Sequence, residues 1–371
     1  MIVEPIKRKR VTRVGSGAWS VYLPKKWIDS WTQQQQEGRE VDLHLISGSL
    51  LIVPVVQDRT YVATAPAGVP LLRITLLSAY VRGYEKVELR PTDRFPNDAI
   101  AAARDLLRHL DERIVATVGP DLIGFTMPPG GSNPPTDLLQ VMGARLTQTL
   151  DLAAECVEHA SNDPERVVHA ARLLQSIQEE DVSRILHQTL RRVATLDLPL
   201  ESVSDFQLLD MAAFLLDGVG SQALAIAQTV LRDLGLSLQD LAYPREDVLR
   251  RLPKRDPQPP VARDILQGHR TAVREARDLL GRLLPALRDS DLAALGAVVA
   301  DSAKARDDLQ ARVFEAVVRH WGEESSPEDA TRGFAAYQLT NPLSNLASAI
   351  GACAGQALLF LAAKKPAVQP T

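Results

Sequence analysis

Residues 6–54 read IKRKRVTRVGSGAWSVYLPKKWIDSWTQQQQEGREVDLHLISGSLLIVP, and their pattern sets how the rest of the chain divides. A basic run from Arg8 to Val14 meets the turn Gly15-Ser16-Gly17. An alternating segment follows, with Trp19, Val21 and Leu23 on one face, and then Pro24-Lys25-Lys26-Trp27. After a short segment with helical spacing come Gly38 and two further alternating runs, Val41 to Ile46 and Leu50 to Val53, around Ser47-Gly48-Ser49. Period-two runs separated by glycine-bearing turns predict paired strands. Residues 1–27 hold seven basic residues and one acid, a net of +6; the whole chain carries −4, which leaves −10 for the rest. A basic arm on an acidic body points to a local polyanion site rather than to a generally adhesive protein.

The order strand, turn, strand, LPKKW, glycine, strand, turn, strand resembles the AbrB/SpoVT family of swapped-hairpin DNA-binding domains, over about fifty residues. One hairpin cannot bury both its faces, so such a unit is expected to be stable as an interleaved homodimer. The resemblance implies DNA contacts from basic residues on the first strand and around the LPK turn. The matching positions here are Arg8, Arg10, Arg13, Lys25 and Lys26. Their contribution to affinity would come mainly from phosphate neutralisation and would fall steeply with salt. The structural alternative is a charged edge that discourages strand pairing. Trp19, Trp27 and Trp31 fall in the same segment and are expected to build a dimer core, because small double hairpins need large apolar side chains; base stacking is the other reading of them.

Downstream, the pattern predicts a small α/β segment over residues 57–128: strands at Thr60 to Ala65, Glu85 to Arg90, Arg113 to Val118 and Leu122 to Met127, with helices at Leu71 to Arg82 and Ala99 to Leu110. Asn97 is the expected cap of the second helix. The run Met127 to Pro135, rich in proline and glycine, reads as a linker (129–135) that makes the parts on either side mechanically separable. Beyond it the period is helical. Six helices are expected, at Thr136 to His159, Pro164 to Leu196, Val203 to Leu234, Val261 to Leu287, Asp291 to His320 and Phe334 to Ala363. Asp163-Pro164 is a helix start, and Asn341-Pro342 starts or kinks the last helix. Four prolines between Arg251 and Pro260 divide the six helices into bundles at 136–250 and 261–371. The expected protein is thus multidomain and mainly α: residues 1–56 for the hairpin domain, the α/β segment, the linker, and two tandem three-helix bundles.

Tandem three-helix units behind such an arm resemble the PhoU family, in the arrangement found in prokaryotic phosphate-uptake regulators. The stretch Ser78-Ala-Tyr-Val-Arg-Gly-Tyr-Glu-Lys-Val87 resembles the same group. That resemblance implies paired carboxylates four residues apart on facing helices, able to hold a metal cluster through oxygen ligands. Residue by residue, the pattern is depleted. In Leu216 to Gln222 only Asp217 keeps its carboxylate, while Ser221 and Gln222 stand where the second acid and a histidine belong. In Leu343 to Ala349 both carboxylates are absent. On the partner helices Glu179, Glu180, Asp181, Asp307 and Asp308 remain. Metal binding is expected to be weakened or lost, with Glu180, Asp181 and Asp217 as the residual trio. The structural alternative for them is a solvated face with ion pairs to Arg184.

No cofactor and no enzymatic activity are expected. The histidines are scattered, no HExxH helix or GxSxG elbow occurs, and the glycines at Gly15 and Gly17 lack the lysine of a phosphate loop. His187 lies seven residues beyond Glu180 and is expected to share its face. Cys156 and Cys353 have no metal-ligand spacing and fit a reducing cytoplasm. The basic N-terminus is not followed by an apolar core, so no signal peptide is expected. Leu343 to Ala363 is apolar but contains Ser344, Asn345, Ser348 and Gln356, and reads as a bundle helix rather than a membrane span. The leading expectation is a cytoplasmic, homodimeric transcriptional regulator of phosphate uptake or homeostasis that binds duplex DNA. The alternative is a PhoU-like adaptor that contacts a phosphate transporter or sensor kinase through protein surfaces.

Overall fold

The computed structural model describes residues 12–14, 18–20, 41–46, 49–54, 59–65, 68–128, 135–160, 162–195, 203–252, 260–320, 333–334 and 336–364. The chain forms two compact units, Met1–Thr60 and Tyr61–Thr371. In the first, β1 (Thr12–Val14) pairs antiparallel with β2 (Ala18–Ser20), and β3 (Val41–Ile46) with β4 (Ser49–Pro54). The register of the second pair runs from Val41↔Pro54 to Ile46↔Ser49.

The second unit opens with a sheet and two helices. β5 (Thr60–Thr64), β6 (Lys86–Arg90), β7 (Val115–Val118) and β8 (Ile123–Thr126) lie in the order β5-β6-β8-β7, with β8 antiparallel to both neighbours. Helices α1 (Val69–Val81) and α2 (Asn97–Leu110) share one core with the sheet. Leu72, Leu76 and Tyr80 recur at four-residue intervals on α1, as do Ala99, Ala103 and Leu107 on α2, and each series is buried with Val87, Leu89, Ile123 and Phe125. Along β6, Val87 and Leu89 are buried, while Lys86, Glu88 and Arg90 alternate with them and pair with one another. One expectation is corrected here. Asn97 is the first residue of α2 rather than its cap, because Pro96 holds the extended capping position and Asp98 supplies the acid of the first turn.

The helical part is built from α3 (Pro135–His159), α4 (Pro164–Ser176), α5 (Ser183–Thr195), α6 (Val203–Asp233), the short α7 (Arg245–Arg250), α8 (Pro260–Arg288), α9 (Leu292–Arg319) and α10 (Thr340–Lys364). The mainly helical reading holds. Helices α3, α6, α10 and α8 pack in a ring, each against the next; α4 and α5 lie against α3 and α6, and α9 lies against α8 and α10. Apolar residues from both groups of helices form a single core. Starts and stops follow local chemistry. The Asp163 side chain accepts from the Arg166 amide with Pro164 in the first turn, and Asp291 caps α9 by accepting from the amides of Ala293 and Ala294. Residues 333–334 and 336–338 are helical, as the periodicity suggests; Leu339 forms a turn, and α10 begins at Thr340 with Pro342 in its first turn, where it removes no helical hydrogen bond. Helix α6 contains the apolar stretch Leu209–Asp233, long enough to cross a bilayer. Leu216, Val219, Ala223, Ile226, Val230 and Leu231 of that stretch are buried in the protein core instead.

The expected single helix from Pro164 to Leu196 is interrupted. Ile177–Val182 forms a π-helical turn, in which the Ser183 amide reaches back five residues to the Gln178 carbonyl. That turn advances the chain by fewer degrees per residue than an α-helix, so α4 and α5 do not share one helical phase.

Candidate functional site

Two groups of residues carry functional expectations. The first is the basic cluster. Arg8, Arg10, Lys25 and Lys26 lie outside the described residues. Arg13 is the middle residue of β1 and stands opposite Trp19 in the register.

The second group is the carboxylate positions. Glu180, Asp181 and Asp217 do not converge. Glu180 is exposed on the π turn. Asp181 is held by two guanidiniums, Arg145 Nε at 3.1 Å and the Arg184 terminal nitrogen at 2.9 Å. The ion pair with Arg184 is thus present, with Arg145 of α3 added to it. Asp217 faces an amide: Gln178 Nε2 donates to its Oδ1 at 3.1 Å. Gln178 is buried because Gly220, one turn along α6, leaves room for its amide; a Cβ there would overlap the Gln178 head group. Burial raises the Asp217 pKa, and the Gln178 hydrogen bond opposes the rise without cancelling it.

In the second half of the helical part the pattern disperses further. Asp307 pairs with Arg306 on an exposed surface, and Asp308 lies 4.0 Å from Arg312. Ser344 is buried in the core, while Asn345 beside it is exposed. Among the described residues no group of three histidine, cysteine or acidic side chains could hold a metal ion. An amide facing a single carboxylate, and an aspartate already paired with two arginines, make a poor donor set for a di- or trivalent cation. The residues present do not fit the cluster that the PhoU resemblance implies.

Other candidates are accounted for by packing. His187 is largely buried, and burial lowers its pKa. His269 is fully buried on α8, within 3.1 Å of the Thr340 hydroxyl, and burial pushes it down to about 3. Both cysteines are buried free thiols, pushed up to about 12 by burial. A groove at the turn between α8 and α9 is lined by Arg282, Pro285, Asp289 and Asp291. Their charges are engaged: Arg282 with Asp301, Asp289 with Arg288, and Asp291 as the cap of α9.

Sequence reasoning missed Gln178, because it searched for carboxylates and Gln178 carries an amide. A signal was present in Gly220, where the helix leaves room for a neighbouring side chain. It also missed Arg191, described below. No known protein-family model matches this chain, and no curated protein matches it.

The Asp217–Gln178 pair gives a pH prediction. A carboxyl whose folded pKa is raised favours folding most in its protonated form, so its contribution is complete below the ordinary value of about 3.9 and is lost as pH rises through the folded value. Asp217→Asn keeps the acceptor for Gln178 and removes the buried charge. The variant is expected to melt above the parent at pH 7, with the gap closing as pH falls into the carboxylate range. Thermal melts across pH check this; a gap that is constant with pH is the contrary result.

Proposed function

We propose that this chain is a homodimeric, cytoplasmic DNA-binding regulator whose amino-terminal hairpins grip duplex DNA. Its helical part is the sensing or interaction end, and by resemblance to PhoU-like phosphate-uptake regulators the process regulated is phosphate uptake or homeostasis. The observation that carries this reading is the charge asymmetry of the sequence: a net +6 over residues 1–27 on a remainder of −10. The antiparallel pairs β1–β2, which contains Arg13, and β3–β4 are compatible with this reading. Arg8, Arg10, Arg13, Lys25 and Lys26 are the proposed contacts, with phosphate as the main target and arginine able to read guanine edges. No step in this function requires a metal or a catalytic residue, and the scattered carboxylates support metal binding having been lost.

The test is binding of the full-length protein to a duplex from its own upstream region against a scrambled duplex, across a salt series. Tight, sequence-dependent binding is expected. Arg10→Ala/Arg13→Ala should weaken it about ten- to a hundredfold and reduce the salt slope by about 2, one for each phosphate no longer neutralised. Equal weak binding to both duplexes by both proteins would overturn the proposal and turn attention to the helical part as an adaptor for a transporter or sensor kinase.

A further inference from the structure

The stretch Ser78 to Val87 has no role in the proposed DNA contacts, yet its local structure is tightly specified. Helix α1 ends in a Schellman arrangement: the Tyr84 amide donates to the Ala79 carbonyl at 3.2 Å and the Gly83 amide to the Tyr80 carbonyl at 3.0 Å, with Gly83 at φ 85°. Only glycine takes that conformation without strain. The turn leaves the carbonyls of Tyr80 and Tyr84 facing one point. At that point lies the guanidinium of Arg191, from α5 of the helical part. It donates to Tyr80 O at 2.6 Å and Tyr84 O at 3.1 Å, and its central carbon sits 4.9 Å over the Tyr80 ring. One turn earlier on α5, Gln188 Nε2 donates to the Leu110 carbonyl at the end of α2.

Two helix C-termini of the α/β segment thus present carbonyls to one face of α5. Helix C-termini carry partial negative charge, and a carbonyl that already accepts one amide has a second lone pair to offer, so a cation and an amide are the groups that suit them. The negative charge behind the socket is fixed as well. The Tyr80 hydroxyl donates to Asp111 Oδ2 at 3.2 Å, and Arg113 grips the same carboxylate at 2.8 Å. Burial alone would raise the Asp111 carboxyl, but the hydrogen bonds from Arg113 and the Tyr80 hydroxyl outweigh it and hold the group below the usual carboxylate range. Arg191 itself is 7% exposed.

We propose that Arg191 is an intramolecular pin that locks the α/β segment and the helical bundle together as a rigid body, and that the stretch Ser78 to Val87 exists to form its socket. The connection at 129–135, read from sequence as a mechanical divide, is then bridged by a contact far from it in the chain. This inference does not depend on DNA binding.

The test is differential scanning calorimetry and hydrogen exchange on the full-length protein and on Arg191→Ala, Arg191→Lys and the control Arg184→Ala, which removes a partly buried ion pair from the same helix. In the parent, Lys86–Arg90 and Ile123–Thr126 are expected to lose exchange protection in the same transition as α3 and α8. In Arg191→Ala the α/β segment should melt separately and earlier, with exchange in its strands at least tenfold faster and α3 and α8 unchanged. Arg191→Lys keeps the charge but not the fork and should fall between. Arg184→Ala should behave as the parent. The pin is overturned if Arg191→Ala keeps a single transition, whether at the parental temperature or with both regions lowered together.

Discussion

Gly124→Ala should destroy the packing of the α/β segment. Gly124 stands on β8 opposite Glu88 of β6 and Thr117 of β7, in the interior of the four-stranded sheet. A Cβ at this position would fall inside the contact shell of the Val87 carbonyl oxygen, 2.9 Å from the carbonyl carbon and 3.2 Å from the Glu88 Cα. All three atoms are backbone of the neighbouring strand, so no rotamer change relieves the overlap. The strands must separate, and separation breaks the β6–β8 ladder that holds Val87 against Phe125 and Leu89 against Ile123. Overpacking that side chains can absorb costs about 1–3 kcal/mol; here the expected cost is about 3 kcal/mol or more. The measurement is exchange protection of 86–90 and 123–126 together with a thermal melt. If Arg191 is the pin, the helical bundle should keep its own transition in this variant. A variant that melts within a degree or two of the parent would mean that β8 can shift, which the regular register does not suggest.

Gly351→Ala should be the most damaging small change among the helices. α9 and α10 pack closely where Gly351 meets Ser302, and both residues are buried. An added Cβ would overlap the Ser302 hydroxyl and lie 3.0 Å from the Ser302 Cβ. Rotating the hydroxyl removes the first conflict at the cost of its bond to the Val299 carbonyl, 2.8 Å away. The second conflict remains and forces the two helices apart. The expected loss is about 2–3 kcal/mol, or a few degrees in melting temperature at roughly 1–2 °C per kcal/mol for a protein of this size. Ser302→Ala/Gly351→Ala should recover only a fraction of it, since the Cβ contact persists, whereas Ser302→Gly/Gly351→Ala should recover most. Equal melting of the two double variants would show that the hydroxyl alone sets the spacing.

These positions also mark where reading the sequence stops. The period of the apolar residues placed α2, α3 and α9 and the strands of the α/β segment, because a helix or strand repeats its own geometry every few residues. The start at Asp163-Pro164 was legible too, because Asp163 acts on an amide three residues away, whereas Asn97 proved to lie inside its helix and the capping role of Asp291 was not read. The depletion of acids at Ser221, Ser344 and Ser348 could be read directly. What Asp217 faces could not. Its partner, Gln178, lies 39 residues back, and a search for paired carboxylates passes over an amide.

The kinds of element, most of their ends, and the concentration of positive charge in the first 27 residues are written in the chain itself. All of these follow from local chemistry or simple composition. The separation in phase of α4 and α5, the close approach of neighbouring elements at Gly124 and Gly351, and the closure of Arg191 on Tyr80 and Tyr84, more than one hundred residues away, emerge only in three dimensions. Such pairings arise when packing brings distant surfaces together. A buried cation is stable only where the fold supplies carbonyls and a carboxylate around it, and nothing in the immediate neighbourhood of Arg191 in the chain signals that supply.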